Sequence, residues 1–320
     1  MPEPCAYFRG EYMHPKDARI GIMTHALHYG TGTFAGINAT WDEEEEQFCL
    51  FRLTDHYRRQ LGACRMLKMQ LPHTADQMAD ITVEAVRRTG FRQNVYCRPV
   101  AYKSTEFIGV KLHDLEADWF VVATLLPPFS SATGLRCCTS SWVRVSDSMI
   151  PTHGKITGMY VNSALAKTEA NEAGFDDGIM LTADGHVSEA AVTNIFLVRH
   201  GRLVTPSATD SILLGITRDS VMQLAKQELR VETLECAIPR SELYTADEVF
   251  FTGTYAGVVP ILEIDNRKIG TGEPGPITTE LQEMYRQVAK GRNPKYGQWY
   301  TFLKPDGESP VLAADKSPQI

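Results

Sequence analysis

Residues 150–160 read Ile-Pro-Thr-His-Gly-Lys-Ile-Thr-Gly-Met-Tyr, so that one ammonium group, that of Lys155, stands among small and apolar residues. Most lysines are solvated at the surface, and a lysine taken alone predicts no chemistry. Desolvation, however, lowers the pKa of an amine and makes it nucleophilic, as a Schiff-base lysine requires. Lys155 is therefore a candidate nucleophile whose role depends on the other motifs of the chain.

Two other motifs are suited to holding a phosphate group. A polar loop beginning at Ser211 leads into an amphipathic helix predicted over 217–229, and a helix N-terminus offers unpaired N–H groups and positive dipole density. Gly215 allows close approach there, and Thr217 adds a hydroxyl. Thr252-Gly253-Thr254, a turn after a predicted strand, offers further amides and hydroxyls. Either motif alone is better explained as a capped helix or an ordinary strand end.

A carboxylate completes the set. Glu189 interrupts a strand-like apolar stretch at 186–196, and it needs a partner if it is buried, whereas a solvent-facing carboxylate needs none. Pyridoxal phosphate is held by three protein groups: a phosphate cradle, a lysine that binds its aldehyde and a carboxylate that keeps its pyridine nitrogen protonated. The three motifs together therefore predict pyridoxal phosphate as the cofactor.

Composition indicates a folded, water-soluble chain of 320 residues, 43% hydrophobic and 22% charged. A net charge of -7 leaves no basic field for a nucleic acid, so we expect no such partner. The chain has no run of 18 apolar residues and no signal-peptide pattern, which predicts a cytoplasmic protein without membrane association. The seven cysteines are odd in number and lack Cys-x-x-Cys spacing, so we expect free thiols and no metal site.

The periodicity of the chain predicts both helices and strands. Helices are predicted over 54–69, 74–89, 159–172 and 217–229, the first two opening with a threonine that can cap them. Strands are predicted over 94–102, 119–126, 141–145 and 248–253, and Asp184-Gly185 and His200-Gly201 indicate hairpins. No confident element is predicted beyond Gly291.

A stretch rich in Pro, Gly and Ser at 127–134 indicates a connection between two domains. We expect an α/β fold, mixed in the α+β manner. Its parts would be a smaller N-terminal α/β domain over 1–125, an interdomain loop over 126–136 and a larger C-terminal α/β domain over 137–320.

The motifs, taken in order, resemble the branched-chain aminotransferase family, a fold-type IV group of pyridoxal phosphate enzymes. The resemblance covers nearly the whole chain and implies two α/β domains with the cofactor between them. The segments that carry it are His25-Ala-Leu-His-Tyr-Gly-Thr-Gly-Thr-Phe-Ala-Gly36, His56-Tyr-Arg-Arg59, Tyr96-Cys-Arg98-Pro99, residues 150–160, Val187-Ser-Glu189, Leu213-Leu-Gly-Ile-Thr-Arg218 and Phe251-Thr-Gly-Thr254.

The resemblance implies a role for each matching residue. Lys155 would bind the cofactor covalently and move the proton of the substrate Cα, and Glu189 would pair with the pyridine nitrogen. The other cofactor residues it implies are Arg59, Ile216, Thr217 and Thr254 at the phosphate, Leu213 against the ring and Tyr160 near its phenolic oxygen. The substrate residues it implies are Tyr29, Phe34, Gly36, Tyr96, Arg98, Thr254, Tyr255 and Ala256.

The implied activity is transfer of the amino group of L-leucine, L-isoleucine or L-valine to 2-oxoglutarate by a ping-pong mechanism. The partners would be a small-molecule amino donor and a 2-oxo acid acceptor. The resemblance also implies a homodimer or a higher homo-oligomer in which a loop of the partner closes the pocket.

The chain departs from the family pattern near the implied substrate pocket. Ala35 and Asn38 stand where the family commonly has an acidic and a basic residue, and Gly253-Thr254-Tyr255-Ala256-Gly257 stands in place of Gly-Thr-Ala-Ala-Glu. Loss of a positive group weakens binding of an α-carboxylate, and Tyr255 adds bulk beside it. An R-selective amine transaminase or a dual-activity enzyme is therefore an alternative. So are a D-amino acid transaminase, an aminodeoxychorismate lyase and a cofactor-binding protein without turnover.

Overall fold

The computed structural model describes residues 1–127 and 133–305, so most of the predicted connection at 127–134 lies outside the described residues. Among these residues, no helix has both the length and the apolar character needed to cross a bilayer. The strands and helices, in chain order, are β1 (Cys5–Phe8), β2 (Glu11–Met13), α1 (His25–Tyr29), β3 (Gly32–Phe34), β4 (Ile37–Asp42), β5 (Gln47–Phe51), α2 (Leu53–Met66), α3 (Ala75–Thr89), β6 (Val95–Lys103), β7 (Ala117–Thr124), β8 (Leu135–Thr139), α4 (Tyr160–Glu172), β9 (Asp177–Leu181), β10 (Val187–Ala190), β11 (Asn194–Arg199), β12 (Arg202–Thr205), α5 (Ile216–Leu224), β13 (Thr233–Glu235), β14 (Glu248–Gly253), β15 (Gly257–Ile264), β16 (Arg267–Lys268), α6 (Pro276–Ala289) and β17 (Tyr300–Leu303).

The first of two compact units comprises 1–127 and 287–305 and is built on an antiparallel sheet. Its eight strands have the order β17-β5-β4-β6-β7-β1-β2, and β3 pairs with β6. Helix α3 packs on β1 and β7 and buries Ala79, Val83 and Val86 along one stripe. This stripe has the helical spacing predicted for 74–89, because residues three and four apart share one face.

The second unit, 133–286, contains a nine-stranded mixed sheet. The strand order is β10-β9-β8-β15-β14-β11-β12-β13, with β16 beside β15. Its core includes Ile179, Leu197, Phe251 and Ile261, which come from neighbouring strands. The hairpins predicted at Asp184-Gly185 and His200-Gly201 are confirmed, since they join β9 to β10 and β11 to β12 in antiparallel pairs.

The starts of α3 and α2 show when neighbouring residues are enough to predict where a helix begins. The threonine cap predicted at Thr74 is confirmed, with the Thr74 hydroxyl accepting from the Gln77 N–H. The structure adds the reciprocal bond of a capping box, in which the Gln77 side chain accepts from Thr74 N. At α2 the expected Thr54 cap is wrong. That helix begins at Leu53, after Arg52 in the left-handed conformation, and the Arg52 guanidinium binds Asp55 at 2.8 Å.

The strand predicted over 141–145 is also wrong, because the strand of this region is β8 and residues 141–145 are irregular. The Glu169 carboxylate explains why the chain leaves the sheet. It accepts hydrogen bonds from the Ser141 N–H at 2.9 Å and from the hydroxyls of Ser140 and Ser141. These bonds fix a turn after β8 and occupy a donor that a further ladder would need.

The C-terminal segment differs from the expected single domain over 137–320. Residues 287–305 belong to the first unit, because β17 pairs with β5 in its sheet. Arg292 holds this segment in place through a bidentate salt bridge with Asp42, with Nε–Oδ2 at 2.8 Å and Nη2–Oδ1 at 2.9 Å. Arg292 lowers the pKa of the Asp42 carboxyl to about 2.

We predict that Arg292→Met lowers the free energy of unfolding at pH 7, since Asp42, 2% exposed, loses its charged partner. The lowered pKa of Asp42 makes this stabilisation complete above about pH 4 and lost as the pH falls toward 2. Urea unfolding at several pH values measures both effects. Arg286→Met, which breaks an exposed pair with Glu283, is the matched control and should change little. Equal losses in the two variants would contradict the prediction.

Candidate active site

Lys155 lies in the second unit, in a loop that precedes α4. The loop is fixed at Thr152, whose N–H and hydroxyl both donate to Asp147 Oδ1, at 2.9 and 3.2 Å. Lys155 is half-buried, and its Nζ donates to the hydroxyl of Tyr160, 2.5 Å away at the first residue of α4. A half-buried amine held by a hydroxyl has a defined orientation, as a nucleophile requires.

Glu189 lies in β10 and is only 5% exposed. Its Oε1 contacts Arg144 Nη2 at 2.7 Å, and its Oε2 accepts from Asn194 Nδ2 at 2.9 Å and from the Leu213 N–H at 3.0 Å. Burial raises the pKa of the Glu189 carboxyl, and the positive charge of Arg144 opposes that rise. Because a carboxylate has about four acceptor positions, Oε1 can accept from one more donor.

Asn194 and Gly215 connect this carboxylate to the loop before α5. The Asn194 side-chain amide donates to the Leu213 carbonyl at 2.8 Å as well as to Glu189, and so joins β11 to that loop. A Cβ added to Gly215 would lie 2.2 Å from Asn194 Oδ1. The close approach therefore requires glycine at position 215.

The N-terminus of α5 follows directly. Its first intrahelical bond runs from the Asp219 N–H to the Gly215 carbonyl at 3.0 Å, so the N–H groups of the first turn lack acceptors within the helix. Thr217 is 3% exposed, and its hydroxyl lies 3.2 Å from that of Tyr285. Ile216 is half-buried beside it. A helix end with a buried hydroxyl is suited to an anion.

The turn between β14 and β15 carries Thr254, Tyr255 and Ala256. Thr254 and Ala256 are half-buried, whereas Tyr255 is 40% exposed. On β14, Thr252 lies opposite Asn194 in the sheet, and its buried Oγ1 has no hydrogen-bond partner among the described residues. A buried hydroxyl left without a partner beside the Glu189 network is consistent with a polar ligand at this position.

Four of the predicted substrate residues form a cluster in the first unit. Arg98 Nη2 donates to the Tyr96 hydroxyl at 2.8 Å, and the guanidinium lies 4.7 Å from the centroid of the Phe34 ring. A Cβ added to Gly36 would lie 2.2 Å from the Tyr96 hydroxyl. Strands β3, β4 and β6 bring these residues together, because each of the first two pairs with β6.

The other two predicted residues of the first unit are not part of this contact set. Tyr29 ends α1, with its ring centroid 4.7 Å from that of His25. Arg59 lies half-buried on α2, one residue before the fully buried Gln60. Their predicted roles stay predictions.

Two residues of the Glu189 network were missed by sequence reasoning. Arg144 stood inside the stretch 141–145, where a lone charge in an apolar run was the only available signal. Asn194 stood inside the quoted stretch 186–196, where nothing local marks it. Arg144 and Asn194 are both identified by their contacts with residues that are distant along the chain. The periodicity of apolar residues gives no information about such contacts.

Comparison with known proteins agrees with this geometry. A probable branched-chain-amino-acid aminotransferase of Aquifex aeolicus is 46% identical over 92% of this chain and 96% of its own. A branched-chain-amino-acid aminotransferase of Pseudomonas aeruginosa is 34% identical over 93% and 97%. A crystal structure of a branched-chain aminotransferase from Thermoproteus uzoniensis with norvaline has a TM-score of 0.89 and 40% identity, covering 93% of this chain and 98% of that one.

The family model for amino-transferase class IV matches residues 44–264. The chain belongs to this family. A further relative, a T.th. branched-chain amino acid aminotransferase complexed with N-(5'-phosphopyridoxyl)-L-glutamate, has a TM-score of 0.88 and 37% identity over 93% of this chain and 97% of that one. The predicted family, the fold class, the enzyme class and the cofactor pyridoxal phosphate are confirmed.

The donor set of the second unit suits the cofactor of class IV aminotransferases. Lys155 supplies an oriented amine, Glu189 a buried carboxylate with an open acceptor position, and α5 a helix N-terminus with the buried Thr217 hydroxyl. These are the groups that an aldehyde, a pyridine nitrogen and a phosphate require.

We predict that Gly215→Ala weakens binding of pyridoxal phosphate to the apoprotein and costs about 1 to 3 kcal/mol of stability. The added Cβ would displace Asn194, which holds both Glu189 and Leu213. Absorbance titration with the cofactor and thermal unfolding measure the two effects. Gly297→Ala is the control, since its Cβ would meet nothing within 4 Å. Wild-type affinity in Gly215→Ala would contradict this account of the network.

Proposed function

We propose that this class IV aminotransferase transfers the amino group of L-leucine, L-isoleucine and L-valine to 2-oxoglutarate. The observation that carries the proposal is the Lys155–Tyr160 contact in the unit that also contains the buried Glu189 carboxylate. The prediction of a branched-chain-amino-acid transaminase is confirmed by the names of relatives that span nearly the whole chain. The bound norvaline and phosphopyridoxyl-glutamate of two relatives support an apolar donor and a dicarboxylate acceptor.

In the proposed mechanism, bound pyridoxal phosphate supplies an electron sink for the bond that breaks at the substrate Cα. Lys155 would hold the cofactor, and its amine would act as the base that carries the Cα proton. The Tyr160 hydroxyl orients the Lys155 amine, and Glu189 would keep a proton on the ring nitrogen. The α5 N-terminus with Ile216 and Thr217 would receive the phosphate, together with Arg59 and Thr254, and Leu213 would lie against the ring.

For the substrate we propose the cluster of Phe34, Gly36, Tyr96 and Arg98, with Tyr29, Tyr255 and Ala256 as further pocket residues. The aromatic rings suit an apolar side chain, and the Arg98 guanidinium offers a donor to a carboxylate. Ala35, 1% exposed, and Asn38 carry no charge in this region. These two departures from the family pattern favour an R-selective amine transaminase as the second candidate.

We also propose a cytoplasmic homodimer. The loop 104–110 is held to the segment 22–29, which ends with α1, by hydrogen bonds from the Phe107 N–H to the Met23 carbonyl and between His25 Nε2 and the Gly109 carbonyl. Large apolar side chains are exposed on both segments: Ile22 by 82%, Leu27 by 63%, Ile108 by 57% and Val110 by 90%. An apolar surface of this kind is typical of a subunit contact, and it supports the second copy that the family resemblance implies.

Lys155→Ala should lose covalently bound cofactor and all turnover, because no other group of the proposed site is a nucleophilic amine. Borohydride reduction followed by peptide mass spectrometry would place the cofactor on Lys155 in the wild type. Lys226→Ala, at an exposed lysine of the same unit, should keep the wild-type label and activity. Turnover by Lys155→Ala, or a label on another residue, would reject the proposed mechanism.

The donor is tested by incubating the pyridoxal form with L-leucine or with R-1-phenylethylamine and following cofactor absorbance. We expect conversion by L-leucine and restoration of the pyridoxal form by 2-oxoglutarate. Conversion by the amine alone would replace the branched-chain assignment with the amine transaminase. Pyruvate release from added aminodeoxychorismate without an amino acceptor would instead indicate a lyase, and a spectrum unchanged by every donor would indicate a binding protein.

A further inference from the structure

Arg144 is a fully buried cation that contacts the buried carboxylate directly. Its side chain is 2% exposed and that of Glu189 is 7% exposed, and Nη2–Oε1 is 2.7 Å. The rest of the guanidinium is held by other groups, with Nε donating to the Ser211 carbonyl at 3.2 Å and Nη1 to the Ser163 hydroxyl at 3.4 Å. Arg144 thus lies between the loop before α5, the helix α4 and the strand β10.

Packing does not explain an ion pair at this position. Burying two charges costs several kcal/mol, and a buried pair can often be replaced by apolar residues of similar volume without loss of stability. Arg144 gives Glu189 a single contact and uses its other N–H groups on neutral acceptors, which are two oxygens and the Met159 sulfur. The ion pair is therefore better explained by an effect of Arg144 on the charge state of Glu189.

The surroundings of Glu189 define that role. Besides Arg144, the charged groups that act on its carboxylate are Lys155 and, more weakly, Arg218. Arg218 is engaged elsewhere, with Nη2 2.9 Å from the Pro206 carbonyl and 2.6 Å from Glu235 Oε2. Lys155 is the proposed nucleophile, so its charge changes when it binds the cofactor. Arg144 is the permanent cation in contact with Glu189.

We propose that Arg144 is a positioning residue that keeps Glu189 ionised and holds its Oε1 ready for the protonated ring nitrogen of the cofactor. This inference rests on the proposed role of Glu189. The Glu189 carboxylate and the ring nitrogen compete for one proton. Arg144 favours the nitrogen as the site of that proton, because a cation next to Glu189 stabilises the anionic form of the carboxylate. Without Arg144, burial would favour the proton on the carboxyl oxygen.

The first test uses the apoprotein, so that no loaded enzyme is needed. In protein labelled with δ-13C-glutamate, the Glu189 signal is the one that Glu189→Gln removes. We expect this signal to titrate at higher pH in Arg144→Met than in the wild type, and to return toward the wild-type value in Arg144→Lys. Arg218→Gln, which also removes a buried arginine, is the matched control and should move the signal less. An unchanged titration in Arg144→Met would overturn the proposal.

The second test uses pyridoxal phosphate labelled with 15N in the ring. We expect the wild type to show a protonated ring nitrogen at neutral pH, and Arg144→Met to shift that signal toward unprotonated pyridine. Cofactor affinity should fall by about 10-fold, as is typical when a group that orients a ligand-binding residue is removed. A wild-type 15N signal in Arg144→Met would overturn the inference even if its affinity were reduced.

The outcomes separate this inference from the proposed function. If the wild type fails to bind the cofactor or binds it at a residue other than Lys155, the proposed function fails. If it binds at Lys155 but the Arg144 variants leave both nuclear signals unchanged, only the inference fails. Arg144→Met/Glu189→Gln removes both charges and should fold better than Arg144→Met alone at a pH high enough to ionise Glu189. Equal stability of the two at that pH would show that Arg144 does not act through Glu189.

Discussion

The burial of the Glu189 carboxylate is the constraint on which the second unit's candidate site depends. A carboxylate that is 5% exposed requires donors on both oxygens. Three separate segments provide them: Arg144, Asn194 on β11 and the Leu213 N–H. Each contact also fixes the segment that makes it, so the loop before α5 cannot move independently of β10. The helix N-terminus suited to phosphate is therefore fixed by the same carboxylate.

The Lys155 loop is organised by different means. Its geometry comes from the Thr152–Asp147 hydrogen bonds and from the Tyr160 hydroxyl at the start of α4. The guanidinium of Arg144 reaches the same helix at Ser163, one turn beyond Tyr160. Helix α4 thus connects the amine to the ion pair. Because Lys155 and the Arg144–Glu189 ion pair are both connected to this one rigid helix, they keep their separation without a direct contact.

Local chemistry determined which elements the sequence could predict. The Thr74 cap and the strand Glu248–Gly253 follow from neighbouring residues, and both predictions are confirmed. The strand β17 was not, because its partner β5 lies in the distant N-terminal half of the chain. The residues of the candidate site differ in the same way: some are recognised from their neighbours in sequence and others from distant contacts. Lys155 and Glu189 lie in recognisable motifs, whereas Arg144 is identified by its contacts with Glu189 and Ser211, which are 45 and 67 residues away.

Two buried carboxylate–arginine pairs in this chain have opposite electrostatic character. Asp42 binds Arg292 through both oxygens and also accepts from the Glu44 N–H, and its pKa falls. Glu189 receives one contact from an arginine that is itself buried, and its pKa rises, because the burial of its carboxyl outweighs the charge of Arg144. The first pair is saturated and joins the C-terminal segment to the sheet. In the second pair, Glu189 retains an open acceptor position, and burial adjusts the proton affinity of its carboxylate. A ring nitrogen requires these features of its partner, and a purely structural ion pair does not supply them.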